Sequence, residues 1–433
     1  MRFCRGKNIK KPCAIRGPYA VYFAANGLSN GFTLSVSTLM LLARGLSLSQ
    51  VSLAVALQGL VAMALEMPSG MAGDLWGRKK VWLASRAVFA CTLVLYLTAS
   101  GPLVFLGALV NGVSSALASG TVDAMFYDVW LAGRGKETLD KANLLRTALS
   151  TSGTALGALA GGLMSGIVIV RPYTVNLLAV AAAQALCLAA VLALPDDARP
   201  KASQAKNGGP ERRTLAALAG QAKATGRAAL HSPGLLISLS GALLLGFMIP
   251  GPQLYWQPRL EELSGGAGLG ALLGVLSCVS QLSAIAGSLL NVQLAKAVKS
   301  PMARYFLSRL ALLGALTGLA RAGSTAALAA WFVAYYLLLG MHAGADDVLL
   351  QAGAAGDVRG SVMGMQNLLT YAGATVSQLL AAALVQTGIP FLWGMQAAVL
   401  AVGTALCAVW YLGVCWGVRA AGGRAAPDEA RQI

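Results

Sequence analysis

The sequence is poor in charge. Of its 433 residues, 11% are Asp, Glu, Lys or Arg and 57% are apolar, whereas a soluble domain has about a quarter of its residues charged. Such a chain cannot cover its surface against water, which excludes a soluble globular protein. Acids are scarcer than bases, 16 against 33, and there are only two histidines. The seven cysteines are scattered without a CxxC pair, which excludes a disulfide scaffold or a Cys/His metal framework. No nucleotide-binding loop or nucleophile motif occurs, so an enzyme is not expected, nor a metal or cofactor.

What is present is a succession of apolar runs. Twelve are near the ~20 residues that cross a bilayer as a helix: 19–42, 50–70, 81–100, 103–131, 145–168, 173–194, 234–256, 269–293, 305–322, 326–350, 361–386 and 390–414. They are solidly apolar rather than alternating, which argues against the strands of a membrane barrel. The expectation is an all-α membrane protein with 12 transmembrane helices, here called spans 1 to 12. The first span follows a basic tail but is too long and polar for the core of a cleaved signal peptide.

A net charge of +17 would suit nucleic acid, but the distribution of bases argues for topology instead. With both termini on one side, the other side keeps only Arg44, Arg171, Arg259 and Arg321 of the 33 Lys and Arg. Cytoplasmic loops carry such an excess, so both termini are expected in the cytoplasm and the protein in the plasma (inner) membrane, as a monomer. The longest polar segment, 195–232, contains "PDDARPKASQAKNGGPERR" and reads as a linker. It divides the chain into two six-helix halves, 1–194 and 233–433, the plan of a two-halved transporter.

Between spans 2 and 3 the chain places four charges on the turn "GMAGDLWGRKK". This turn resembles the loop between helices 2 and 3 of the major facilitator superfamily, with Gly70, Asp74, Gly77, Arg78 and Lys79 on matching positions. Ala72 and Gly73 depart from the pattern, and Leu75 stands where a basic residue is usual. "SGTVDAMFYD" (119–128) and "GDVRGSVMG" (356–364) are similar to the end of helix 4 and the start of helix 11 in a prokaryotic branch that includes drug and metabolite exporters. In that family the loop latches the two halves. The resemblance implies that Arg78 meets Asp128 and that Asp74 faces the N-terminus of helix 11, whose dipole favours an anion. Gly70 and Gly77 are expected to permit close backbone approach and a tight turn. The plainer alternative, that the basic residues only enforce topology, is preferred for Lys79 and Lys80.

Ionisable residues inside spans are costly and are functional candidates by default. Asp123 lies deeper in span 4 than Asp128 and is expected to be a buried acid, either proton-carrying or, as the equal alternative, paired structurally with a neighbouring helix. His342 and Asp346 are four apart in span 10 and share a face, which suits a protonatable pair. The plainer reading, that Asp346 and Asp347 are hydrated near the cytoplasmic mouth, is preferred there. Asn26 and Asn30 in span 1, Gln281 in span 8, and Asn367, Tyr371 and Gln378 in span 11 are candidate cavity residues, although interhelical hydrogen bonding is the commoner role of such groups. Tyr255 and Trp256 read as interfacial anchors. Gly153, Gly157, Gly161 and Gly162 in span 5 have the spacing of a close helix contact and resemble an antiporter pattern in which Ala158 replaces a proline.

The leading expectation is a secondary transporter that exports small amphiphilic organic molecules by alternating access, driven by protons. The alternative is a proton-coupled or facilitative importer of a small nutrient. A second alternative is a sensor or scaffold that has kept the fold without transport.

Overall fold

The computed structural model describes residues 16–98, 100–134, 139–195, 232–266, 268–353 and 359–420, with only the backbone at a few of them, Asp74 among these. The described residues are helical and contain no strand. Twelve spans are present, and three of them are broken. Span 1 comprises α1 (Arg16–Leu34) and α2 (Ser37–Ala43), and spans 2 and 3 are α3 (Leu48–Trp76) and α4 (Arg78–Thr98). Span 4 is α5 (Pro102–Ala118) with α6 (Thr121–Arg134); spans 5 and 6 are α7 (Leu139–Met164) and α8 (Thr174–Leu192). Span 7 is α9 (Pro233–Met248) with α10 (Pro250–Ser264). Spans 8 to 12 are α11 (Leu269–Ala297), α12 (Pro301–Arg321), α13 (Thr325–Gly353), α14 (Arg359–Leu384) and α15 (Ile389–Ala420).

The breaks follow from local chemistry. Pro250 has no N–H to continue the helix ladder, which interrupts span 7. Gly120, at φ +65°, takes the left-handed turn that parts α5 from α6. Nine of the described helices or helix pairs are long and apolar enough to cross a membrane on those criteria alone. Spans 1, 5 and 9 fall short. Span 1 is broken and studded with Asn and Gly, span 5 is diluted by Ser, Thr and Gly, and span 9 carries Arg304, Arg309 and Arg321 within its helix.

The chain divides into two compact units. One takes described residues from 16–44, 61–195 and 270–278; the other takes 45–60, 232–269 and 279–420. The units therefore follow the two halves, except that the start of α3 groups with the second and the start of α11 with the first.

In the first unit α1 packs on α7 and α8, and α4 packs on α5. Its core is an aromatic cluster of Tyr19, Tyr22, Phe23, Trp82, Phe126 and Trp130. Phe126 meets Tyr19 and Phe23 edge-on at 5.4 and 5.2 Å, a geometry that aligns ring edges with ring faces. The α1–α7 contact is backbone against backbone. A Cβ at Gly153, Gly157 or Gly161 would collide with the Ala24, Leu28 or Phe32 carbonyl of α1. Gly27 and Gly31 answer from the α1 side, against the Ser150 and Thr154 carbonyls. With lipid as apolar as the side chains, such close packing replaces the hydrophobic effect as the force between helices. Gly162 faces elsewhere: a Cβ there would collide with the backbone of Gly274 in α11.

In the second unit α9 packs on α14, and α12 packs on α13 and α15. Trp256 stacks on Phe332 at 4.7 Å. Trp256 and Tyr255 are buried at 3% and 0% exposure, and Tyr255 is hydrogen-bonded to Ser52. This corrects the expectation that they anchor at the lipid interface. Exposed Leu156, Leu289, Val402, Leu406 and Val409 give both units apolar outer faces, as lipid requires.

Candidate functional site

The two units share a local motif at the same helical register. The 21-residue helices α4 and α12 carry Trp82-Leu-Ala-Ser85-Arg86 and Tyr305-Phe-Leu-Ser308-Arg309, with the arginine at the ninth position of each. In both, the serine hydroxyl donates back to the aromatic residue's carbonyl, at 2.6 Å for Ser85 and 2.8 Å for Ser308. Each guanidinium lies over the aromatic ring one turn earlier, 5.1 Å from the Trp82 centroid and 4.9 Å from that of Tyr305. Cation–π contact helps to hold a charge in a dry bundle. Both arginines fall inside expected spans, 3 and 9, and the structure places them within helices α4 and α12.

Their surroundings differ. Arg86 donates to Gln184 Oε1 at 2.8 Å, and Gln184 donates on to Ser29 Oγ at 2.8 Å. Arg309, 1% exposed, donates through Nη2 to the Gly241 carbonyl at 2.5 Å and through Nε to His342 Nε2 at 3.5 Å. Gly241 is required, because a Cβ there would fall on the Tyr305 hydroxyl. His342 Nδ1 also contacts Ser308 Oγ at 2.8 Å. One turn along α13, Asp346 accepts from Ser238 Oγ of α9 and Gln366 Nε2 of α14, both at 2.7 Å. Four helices of one unit thus converge on a buried arginine, histidine and aspartate.

Asp346 is 4% exposed and is the only acid among the buried polar residues described. The plainer reading of Asp346 as a hydrated residue at the mouth is therefore corrected, while Asp347 beside it is exposed. His342 and Asp346 share the α13 face as expected, but each has its own partners.

For Asp123 the structure corrects the expected burial in the opposite sense. It accepts from Arg146 Nη1 of α7 at 3.2 Å, and its side chain is 42% exposed. The ion pair to a neighbouring helix agrees with the structural alternative, while the expected burial is corrected, since the carboxylate is half-exposed.

At the turn between α3 and α4, Arg78 Nη1 donates to Asp128 Oδ2 at 2.9 Å. Gly77 has φ +97° and supplies the tight turn. Gly70 does not make the expected close approach, since a Cβ there would meet nothing. Lys79 Nζ donates to the Leu192 and Leu194 carbonyls at 3.3 and 2.6 Å, closing the C-terminal end of α8. The side chain of Asp74 and the start of span 11 at 354–358 lie outside the described residues, as does most of the 195–232 linker.

Among the expected cavity residues, Asn26 and Gln281 are half-buried and Asn30, Asn367 and Tyr371 are exposed. Gln378, at 2% exposure, has neither amide atom hydrogen-bonded. The face of α14 that carries Asn367, Tyr371 and Gln378 is thus open at one end and closed at the other.

Two units with twelve helical spans between them, one motif repeated and an ionisable cluster buried in the second, fit the plan of a two-halved membrane transporter. The Major Facilitator Superfamily model matches residues 19–378, and the chain belongs to that family. Its fold is similar to the crystal structures of the nucleoside transporter NupG and of a point mutant of NupG. The TM-scores are 0.73 and 0.74 and the identities 15% and 17%; coverage is 92% and 91% of this chain, and 99% of each of those chains. It is also similar to a bacterial homolog of the human lysosomal transporter Spinster in an inward-facing, unoccupied conformation. There the TM-score is 0.66 at 14% identity, over 94% of this chain and 96% of that one. No curated protein matches the chain in sequence.

Proposed function

We propose that the protein is a proton-coupled secondary transporter that takes up a small, neutral, polar organic molecule, with Asp346 as the proton-carrying group. The observation that carries this reading is the setting of that carboxylate. Both oxygens are held by neutral donors, Ser238 and Gln366, rather than by a permanent cation. A hydroxyl can turn to accept when the carboxyl is protonated, so either protonation state finds partners. A buried acid inside a span that can exist in both states is a means of loading and releasing a proton.

Inward transport is favoured over the export expected from sequence for two reasons. The glycine spacing of span 5, which suggested an exporter, is accounted for by packing of α7 on α1 and carries no information on direction. Two of the solved structures similar in fold are of a protein named as a nucleoside transporter, and a nucleoside is the kind of neutral, polar, partly apolar molecule the charge-poor spans suit. The Arg78–Asp128 pair is read as part of a conformational latch at the α3–α4 turn.

The test is uptake of radiolabelled uridine and adenosine into proteoliposomes under an imposed pH gradient. Accumulation that collapses when the gradient is dissipated supports the reading. Uptake of neither compound, with export of amphiphilic dyes instead, would replace it.

A further inference from the structure

At the end of α8 remote from Lys79, Arg44 holds two hydrogen-bond donors without acceptors. Lys79 closes the Leu192 end, so the Thr174 end lies on the other side of the bundle, where the sequence leaves only four basic residues. Two of those four meet here. Arg44 is 2% exposed, and its Nη2 reaches Thr174 Oγ1 at 3.4 Å. Its Nε and Nη1 are closed off from solvent and meet no acceptor. Arg171 is close enough for its charge to act on Arg44, where, after burial, it is the second influence lowering the guanidinium's proton affinity. No side chain caps the N-terminus of the 19-residue α8, and Tyr173 before it is held at φ +63°.

Unused guanidinium donors cost free energy when buried. A helix N-terminus adds partial positive charge and free N–H groups at the same place. Two like charges beside it compound the cost. The group that relieves all three terms is an acceptor-only anion, and an oxyanion matches the planar guanidinium fork.

The adjoining segment indicates where that anion comes from. Ile167, Val168, Ile169 and Val170 run directly into Arg171 outside any helix, and they are 52%, 60%, 66% and 78% exposed. Four consecutive exposed apolar residues are not sustained against water and mark a surface that meets lipid or protein. An apolar run continuous with a cation pair has the two-part character of a phospholipid.

We infer that Arg44, Arg171 and the first turn of α8 bind the phosphodiester headgroup of an anionic phospholipid, whose acyl region takes the Ile167–Val170 segment. The site is separate from the buried cluster of α12 and α13 and does not depend on the transported substrate. Through α8 it bears on α1, which packs against that helix, so the lipid stabilises the first unit.

The full chain is to be purified, stripped of lipid by detergent exchange, and offered phosphatidylglycerol, phosphatidylcholine or inorganic phosphate. Bound lipid is read by native mass spectrometry, and stability by the unfolding midpoint, which rises when a ligand binds the folded state alone. Phosphatidylglycerol is expected to remain bound and raise the midpoint, more than phosphatidylcholine does, with millimolar phosphate failing to displace it. Arg171→Gln and Arg44→Gln should each weaken retention on the order of tenfold. Should Arg44→Gln fail to fold, Arg171→Gln and the exposed double change Val168→Ser with Ile169→Ser carry the test. Equal retention by wild type and these variants would overturn the assignment. Displacement by inorganic phosphate would overturn it as well, in favour of a free-phosphate site.

Discussion

Arg309 of α12 points its Nε at the imidazole of His342, 3.5 Å from Nε2, rather than at a carboxylate. For Nε2 to accept, the ring proton must sit on Nδ1, which then donates to Ser308 Oγ at 2.8 Å. This tautomer is assigned from the partners, and it makes His342 neutral. The imidazole therefore orients the guanidinium while Asp346 remains free to titrate. His342→Gln, which can still accept from Arg309, should keep gradient-driven accumulation at a reduced rate. Complete loss of coupling in a folded His342→Gln protein would move the proton from Asp346 to the histidine.

Asp123 leads to a prediction of the opposite kind. Because it is half-exposed and paired with Arg146, Asp123→Asn should leave proton-driven accumulation and its pH profile intact. The pair is of the exposed class that contributes about 0–1 kcal/mol, so the unfolding midpoint should move little. A variant that binds substrate but no longer accumulates it would restore Asp123 as a carrier.

The turn between α3 and α4 is tested by a double-mutant cycle. Arg78→Ala and Asp128→Ala should each slow transport while leaving membrane insertion normal. The double variant should be no worse than the slower single one, since residues that act as a pair are not additive. Additive losses would remove the pairing from the mechanism.

Gly157 of span 5 and Gly70 of the turn, each expected from the sequence at a close approach, should behave differently in experiment. Gly157→Leu forces a side chain into the α1 backbone, an overpacking that costs about 1–3 kcal/mol or more, and should sharply lower the yield of folded protein. Gly70→Ala should be silent, because nothing stands within 4 Å of its added Cβ. Normal expression of Gly157→Leu would mean that α1 and α7 can part without penalty.

The contrast between these sites shows what the residues disclosed by themselves. Twelve apolar runs located the helices, and nine of these meet the length and polarity that a bilayer accepts, spans 1, 5 and 9 falling short on those criteria. The Arg78–Asp128 contact was anticipated only through the family resemblance of the turn, which implied it, and not from the residues alone. The Arg309 cluster was not anticipated. Arg309 lies near the start of span 9, where composition cannot separate a loop arginine from one pointing into the bundle. The usable signal was the repeated aromatic-x-x-Ser-Arg at equal distance from the starts of α4 and α12. The burial of Asp123 was misjudged for the converse reason: it was inferred from depth along the helix, and of the two readings left open the structure supports a pair with a neighbouring helix.

The central claim is that Asp346 carries the coupling proton, and Asp346→Asn tests it most directly. Asparagine keeps the shape and the bond from Ser238 but cannot titrate. In proteoliposomes, the account predicts that this variant no longer accumulates labelled substrate under an imposed pH gradient. It should still exchange internal for external substrate when both sides are loaded, since exchange needs no net proton movement. Uphill accumulation by Asp346→Asn with the pH dependence of the wild type would contradict the account.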